Sequence, residues 1–217
     1  PDTLALNEAF TNEAFFQENG LTKETALTLF IPNTYEFYWN TSASKIASKM
    51  AKEHKKFWTN ERLEKAKALN MTPAQVYTLA SIVHKETVKA DERPRVAGAY
   101  LNRINQDMPL QADPTVIYAI KEKSGDFDQV IKRVGGSNLF VSSPYNTYIN
   151  KGLPPGPIAM PDISAIDAVL NAEKHNYIYF CADPSRPGYH SFETTYEAHL
   201  VNAKKYADWV NKLGIKL

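Results

Sequence analysis

The chain holds a single cysteine, Cys181, among 217 residues. That excludes an internal disulfide and any cysteine-rich zinc site. Between a buried strand thiol and a nucleophile, the neighbours Tyr177-Ile178-Tyr179-Phe180 favour the thiol. Neither sign of charge is in excess: 25 Lys and Arg face 24 Asp and Glu, a net charge of +1. This balance argues against a nucleic-acid-binding surface, and no nucleic acid is expected as a partner. No apolar run approaches the ~18 residues of a membrane span. A membrane is therefore expected only through a segment absent from this chain. No signal peptide precedes Pro1 and no Met opens the chain, which reads as processed or trimmed. His54, His84, His175, His190 and His199 show no His-x-x-x-His or comparable spacing. No Gly-x-Ser-x-Gly elbow, phosphate-cradling loop, repeat or low-complexity tract is present. No metal and no cofactor are expected, and nucleophilic serine or cysteine chemistry finds no support.

What is present suffices for one sizeable core, with 43% hydrophobic residues. The 12 Tyr, 10 Phe and 3 Trp suit a carbohydrate or peptide cleft, and equally an ordinary core. Residues 1–28 contain short amphipathic pieces broken at Asn19-Gly20 and read as the remnant of an upstream region. Residues 31–39 are aromatic, with the alternation of a strand or extended loop. A long Lys/Glu/Ala-rich surface helix is predicted over 42–69, with Ile46, Met50 and Phe57 at helical spacing. Asp91-Glu92-Arg93-Pro94 opens a helix with Val96, Ala99, Tyr100 and Ile104 on one face; its Gly98 would permit close helix packing. Asp113 is predicted to cap another helix, with Pro114 at its first position. Residues 143–161 differ in kind, with five prolines and two glycines, and predict a rigid irregular loop of the sort that holds sites. A helix over 164–170, strands over 177–182 and 189–192 and a closing helix over 196–213 complete an α+β, helix-rich chain with a small sheet.

The most informative residue is Glu86. Thr72 and Pro73 start a helix in which Val76, Leu79, Ile82 and Val83 form one stripe at roughly 100° per residue. Glu86 falls on that stripe, at i+3 from Val83 and i+7 from Leu79, while His84 and Lys85 point away. A carboxylate on an apolar face is either neutralised by an ion pair, with Arg93, Arg95 or Arg103 nearby in sequence, or is a group whose pKa is raised to act as a general acid. Glycoside cleavage usually needs two carboxylates. Asp113 is the obvious second, although a helix cap accounts for it as well.

Leu79-Ala-Ser-Ile-Val-His-Lys-Glu-Thr87, Leu101-Asn-Arg-Ile104, Leu110-Gln-Ala-Asp-Pro-Thr-Val-Ile-Tyr118, Tyr145-Asn-Thr-Tyr148 and Gly152-Leu-Pro-Pro-Gly-Pro-Ile158 occur in that order. Together they strongly resemble the YceG-like family of endolytic murein transglycosylases, over about residues 29–213. The family carries an amino-terminal membrane helix and a small LysM-like domain ahead of this region. The resemblance makes residues 29–217 the catalytic domain and 143–161 its active-site loop. It implies cleavage of the MurNAc–GlcNAc β-1,4 bond within peptidoglycan strands, leaving 1,6-anhydro-MurNAc ends, in cell-wall synthesis and remodelling. It also implies anchorage to the cell inner membrane, with the catalytic domain in the periplasm, and wall-synthesis enzymes as partners. The family's acid is the second Glu of a Glu-Lys-Glu-Thr motif, here His84-Lys85-Glu86-Thr87. Glu86 survives, and the first Glu has become His84. Glu86 would protonate the leaving oxygen and then, as carboxylate, accept the proton of the muramoyl C6 hydroxyl as it attacks C1.

For the sugar and its N-acetyl group the resemblance points to Gln111, Tyr145, Asn146 and Tyr148, with loop-bracing hydrogen bonds as the other reading of Asn146 and Tyr148. Gly152, Leu153 and Pro154 would open a rigid cleft wall over 152–158. Arg103 and Asp113 are expected in structural roles, and His190 and Phe192 on a late strand could reach the cleft floor. The rivals are a hydrolytic muramidase, in which Asp113 or another acid activates water, and a non-catalytic peptidoglycan-binding module.

Overall fold

A computed structural model describes residues 1–131 and 134–212. Leu213, the expected end of the closing helix, lies outside the described residues. At the amino terminus α1 (Thr3–Phe10) is capped by the Asp2 side chain and α2 (Glu13–Glu18) by that of Asn12. The chain turns at Gly20, with φ of 68°, and a 3₁₀ segment follows over Ala26–Leu29. Phe16, Leu21 and Leu29 bury themselves against Met50 and Ala51 as a small second core. Residues 31–39 form no strand; they run as an irregular loop that leaves Trp39 fully exposed.

The single helix predicted over 42–69 is two: α3 (Ala43–Phe57) and α4 (Asn60–Ala68). Trp58 leaves helical geometry and sinks into the main core, and the Thr59 hydroxyl accepts the Arg62 N–H to start α4 anew. Propensity alone does not register that break, because a buried indole decides it.

Helix α5 (Pro73–Glu86) is the axis of the molecule. The Thr72 hydroxyl accepts from the Gln75 backbone, and the Gln75 side chain accepts from the Thr72 backbone, closing a capping box. Burial extends beyond one stripe. All eight residues 76–83 are buried, since α6 (Arg93–Asn105), α7 (Asp113–Ser124) and α8 (Ile163–Leu170) pack around the helix. Gly98 of α6 does serve a close approach, but to the extended chain after α8 rather than to a helix: a Cβ there would strike the Glu173 carbonyl and the His175 ring.

The predicted cap role of Asp113 is corrected. Ala112 occupies the cap position, without a side-chain bond, and Asp113 is the first helical residue. The Ala112 N–H and C=O are instead satisfied by the Thr147 and Thr115 hydroxyls, which leaves the Asp113 carboxylate free to turn elsewhere.

The loop over 143–161 is irregular, as its prolines require, and firmly tied. The Ile158 N–H donates to the buried Ser81 hydroxyl of α5 at 3.0 Å, and Gly156 lies so close to the Glu24 carbonyl that no side chain would fit. The sheet has two antiparallel strands, β1 (Tyr179–Ala182) and β2 (His190–Glu193), pairing Phe180 with Phe192 and Ala182 with His190. β1 begins two residues later than predicted. The Tyr177 and Ile178 carbonyls accept from the Asn102 and Arg103 side chains of α6 instead of from a strand. Helix α9 (Tyr196–Lys212) packs on the sheet.

Candidate active site

Glu86, the last residue of α5, is half-buried and lines a cavity of about 320 Å³ between α5, α6, the start of α7 and the sheet. The Tyr100 hydroxyl of α6 donates to its Oε2 at 3.0 Å. Among the described residues Oε1 accepts no hydrogen bond and the carboxyl forms no ion pair. The three arginines that sequence offered as partners are engaged elsewhere. Arg93 donates to Asp162 at 3.2 Å and to Ser164 at 2.6 Å. Arg95 donates to Glu173. Arg103 donates to the Ile178 and Leu110 carbonyls at 2.6 and 2.7 Å. Burial pushes the Glu86 pKa above the ordinary carboxylate value of 4.5; His190 and the Tyr100 hydrogen bond oppose that rise and Asp113 adds to it.

The cavity gathers six of the predicted site residues: Glu86, Arg103, Gln111, Asp113, Tyr148 and His190. Tyr148 donates its hydroxyl to the Asp113 Oδ1 at 2.6 Å, and burial with this bond pushes the phenol pKa up. Gln111 sits with φ of 50°, a left-handed conformation unusual for a side chain of this kind. Its N–H donates to the Thr147 carbonyl, and its Oε1 lies 3.4 Å from the Arg103 guanidinium. Arg103 thus braces the strand entry and the Gln111 turn while facing the cavity.

Asn146 is fully buried and turned inward. Its amide donates to the Leu139 and Val141 carbonyls, and its Oδ1 accepts the Tyr148 N–H at 2.9 Å. Its place is behind Tyr148, bracing it. Tyr145 faces a different hollow, of about 560 Å³, with Tyr118, Pro155 and Pro157. Gly152, Leu153 and Pro154 line neither space, and Leu153 packs against the main core. Phe192 packs against Tyr177 and Phe180 at 5.9 and 5.5 Å and does not line the cavity. A larger hollow, of about 800 Å³, opens beside Gly98 and His175 and holds none of these residues. His84 points away from the cavity, as its phase predicts, but not into open solvent: its Nδ1 meets Asp162 at 3.3 Å and Arg93 at 3.4 Å.

Sequence reasoning missed Tyr100, Glu92, Phe180 and Tyr206. Tyr100 carried a readable signal, since a tyrosine on a core-facing stripe needs a partner for its hydroxyl. Cys181 lines the cavity through β1, yet burial and the nearby Asp183 and Glu193 push its thiol pKa up, which keeps it protonated and poorly nucleophilic.

The comparisons fit this architecture. The profile of the YceG-like family matches residues 3–205. An endolytic murein transglycosylase of Bacillus subtilis is 32% identical over 213 residues, 98% of this chain and 54% of that protein. One of Streptococcus pneumoniae is 39% identical over 117 residues, 54% of this chain and 21% of that protein. The crystal structure of a YceG-like protein from Listeria monocytogenes superposes with a TM-score of 0.75 at 30% identity, covering 93% of this chain and 67% of that one. The chain therefore spans about half the length of its Bacillus relative, and it belongs to the YceG-like family.

Proposed function

We propose that this chain is the catalytic portion of an endolytic peptidoglycan lytic transglycosylase, a lyase acting on the MurNAc–GlcNAc β-1,4 bond inside glycan strands. One observation carries the reading: a cavity carboxyl with raised pKa, one hydrogen bond from a tyrosine and, among the described residues, no cation paired with it. That is the environment of a general acid. Glu86 gives its proton to the leaving oxygen, and the muramoyl C6 hydroxyl oxygen attacks C1 to close the 1,6-anhydro ring. No water is consumed. Tyr148, Gln111 and Asp113 supply polar contacts to the sugar, with Asn146 holding Tyr148 in place. The relatives' name, endolytic murein transglycosylase, supports the same reaction. In this reading residues 29–217 are the catalytic domain, preceded by residues 1–28. The domain works outside the cytoplasm in wall synthesis and remodelling, beside wall-synthesis enzymes, held to the membrane by a segment outside this chain. No helix of the described residues is long and apolar enough to cross a membrane.

Mass spectrometry of products from purified glycan strands digested in H₂¹⁸O tests the reading. Anhydro ends, one water lighter than reducing ends and free of solvent ¹⁸O, are the expected result. Reducing ends carrying ¹⁸O, with Asp113→Asn inactive, would identify a muramidase instead. Strands bound and left uncut would identify a binding module.

A further inference from the structure

One buried carboxylate holds His190 at two points. Glu92, just before α6 and 5% exposed, accepts the His190 backbone N–H on Oε1 at 2.7 Å, and its Oε2 lies 2.8 Å from Nδ1. A carboxylate opposite Nδ1 requires a proton there, so in the neutral ring the lone pair sits on Nε2. Among the described residues Nε2 has no hydrogen-bond partner, and the ring lines the cavity that holds Glu86. Phe180 packs against the imidazole edge-on at 5.4 Å, fixing its plane. Merely fastening β2 to the start of α6 would not need this arrangement. The backbone bond to Oε1 does that, and Tyr189 already reaches Asp91 at 3.1 Å alongside.

The cavity thus holds one carboxyl able to give a proton and one imidazole nitrogen able to take one. A lytic transglycosylase reaction makes those same two demands. We propose that His190, oriented by Glu92, is the base that removes the proton of the attacking C6 hydroxyl; this rests on the transglycosylase reading. The Glu86 proton goes to the glycosidic oxygen, and the C1–O4 bond breaks with its electron pair on O4. The O6 lone pair forms the O6–C1 bond, and the O6 proton passes to Nε2. The resulting imidazolium is stabilised by the Glu92 carboxylate, then returns its proton to the Glu86 carboxylate, which restores both groups. Glu92 is a positioning residue, since among the described residues its carboxylate is hydrogen-bonded only to His190.

The test measures kcat and KM on defined uncrosslinked glycan strands, with folding checked by circular dichroism. His190→Gln, which keeps a donor for Glu92 but accepts no proton, is expected to lower kcat at least about 100-fold with KM unchanged within about threefold. His190→Ala should be slow in the same way and regain activity with added imidazole. Glu92→Gln, which keeps an acceptor but loses the charge, should lower kcat about tenfold at constant KM. If the wild-type protein forms no anhydro ends, the reading of the reaction falls and this inference with it. If it forms them, then retained kcat in His190→Gln, a loss carried by KM, or no response of His190→Ala to imidazole overturns the role of His190 alone.

Discussion

At the scale of the residue, the decisive contrast is between half-buried Glu86 and the fully buried charged groups. Arg93 and Arg103 are buried with acceptors around them, and buried Glu92 has its histidine. Glu86 has one phenol hydroxyl. Glu86→Gln keeps the shape and the bond from Tyr100 but neither gives nor takes a proton. Its expected outcome is loss of strand cleavage with thermal stability equal to or above that of the wild type. Had the side chain belonged to a buried ion pair, the same change would cost about 3 kcal/mol or more. The pH dependence gives a second check. A carboxyl whose folded pKa is raised favours the folded state fully at pH below its unfolded value near 4.5, and that contribution disappears as pH rises through the folded pKa. Wild-type stability relative to Glu86→Gln should therefore decline across that window. A difference between the two melting curves that grows with pH in the opposite sense would contradict the raised pKa.

At the scale of the element, α5 and α6 hold the proposed acid and its tyrosine in register because other segments lock them in place. Helix α6 presents Tyr100 and Arg103 to the cavity, and its opposite side lies against the chain following α8, where Asn102 donates to the His175 and Tyr177 carbonyls. Gly98 makes that approach possible. A Cβ at this position meets a backbone carbonyl and a ring that is itself hydrogen-bonded to Arg95, so neither yields cheaply. Gly98→Ala is accordingly expected to destabilise by roughly 1–3 kcal/mol despite its better helix propensity. Chemical denaturation measures this directly, and a stabilised variant would refute the packing. Activity should fall too, since the same shift displaces Tyr100 and Arg103.

At the scale of the whole molecule, the two clusters of buried side chains among the described residues are tied to each other. Tyr77 of α5 donates its hydroxyl to the Phe30 carbonyl at 2.7 Å, and Glu24 abuts Gly156 of the proline-rich loop. The amino-terminal helices are thereby coupled to the loop and, through Ser81, to α5. A single calorimetric transition is expected for the intact chain. Removing residues 1–20 deletes the buried Phe16 and uncovers Leu29 and Met50. At about 1.5–3 kcal/mol for one large apolar side chain and roughly 2–4 °C per kcal/mol, the midpoint should drop by ~5 °C or more. Two resolved transitions in the intact chain would show that the clusters unfold separately.

Local order in the sequence determined a good deal: the Thr72-Pro73 helix start, the phase of Glu86 on the buried side of α5, the irregular loop between prolines and the helix-rich α+β class. Each depends on chemistry within a few residues, namely caps, fixed φ values and a period of 3.6. Tertiary structure alone decided the rest. Trp58 broke a helix because the core had room for its ring. Asp113 lost its cap role because Thr147, 34 positions beyond it in the numbering, serves the Ala112 backbone. Glu86 was left without a cation among the described residues because Arg93 and Arg103 found acceptors on α8 and before β1. Glu92 and His190, 98 positions apart, meet beside Glu86 only when β2 folds onto the start of α6. Such pairings depend on which elements become neighbours, and no period or cap in a linear sequence encodes that.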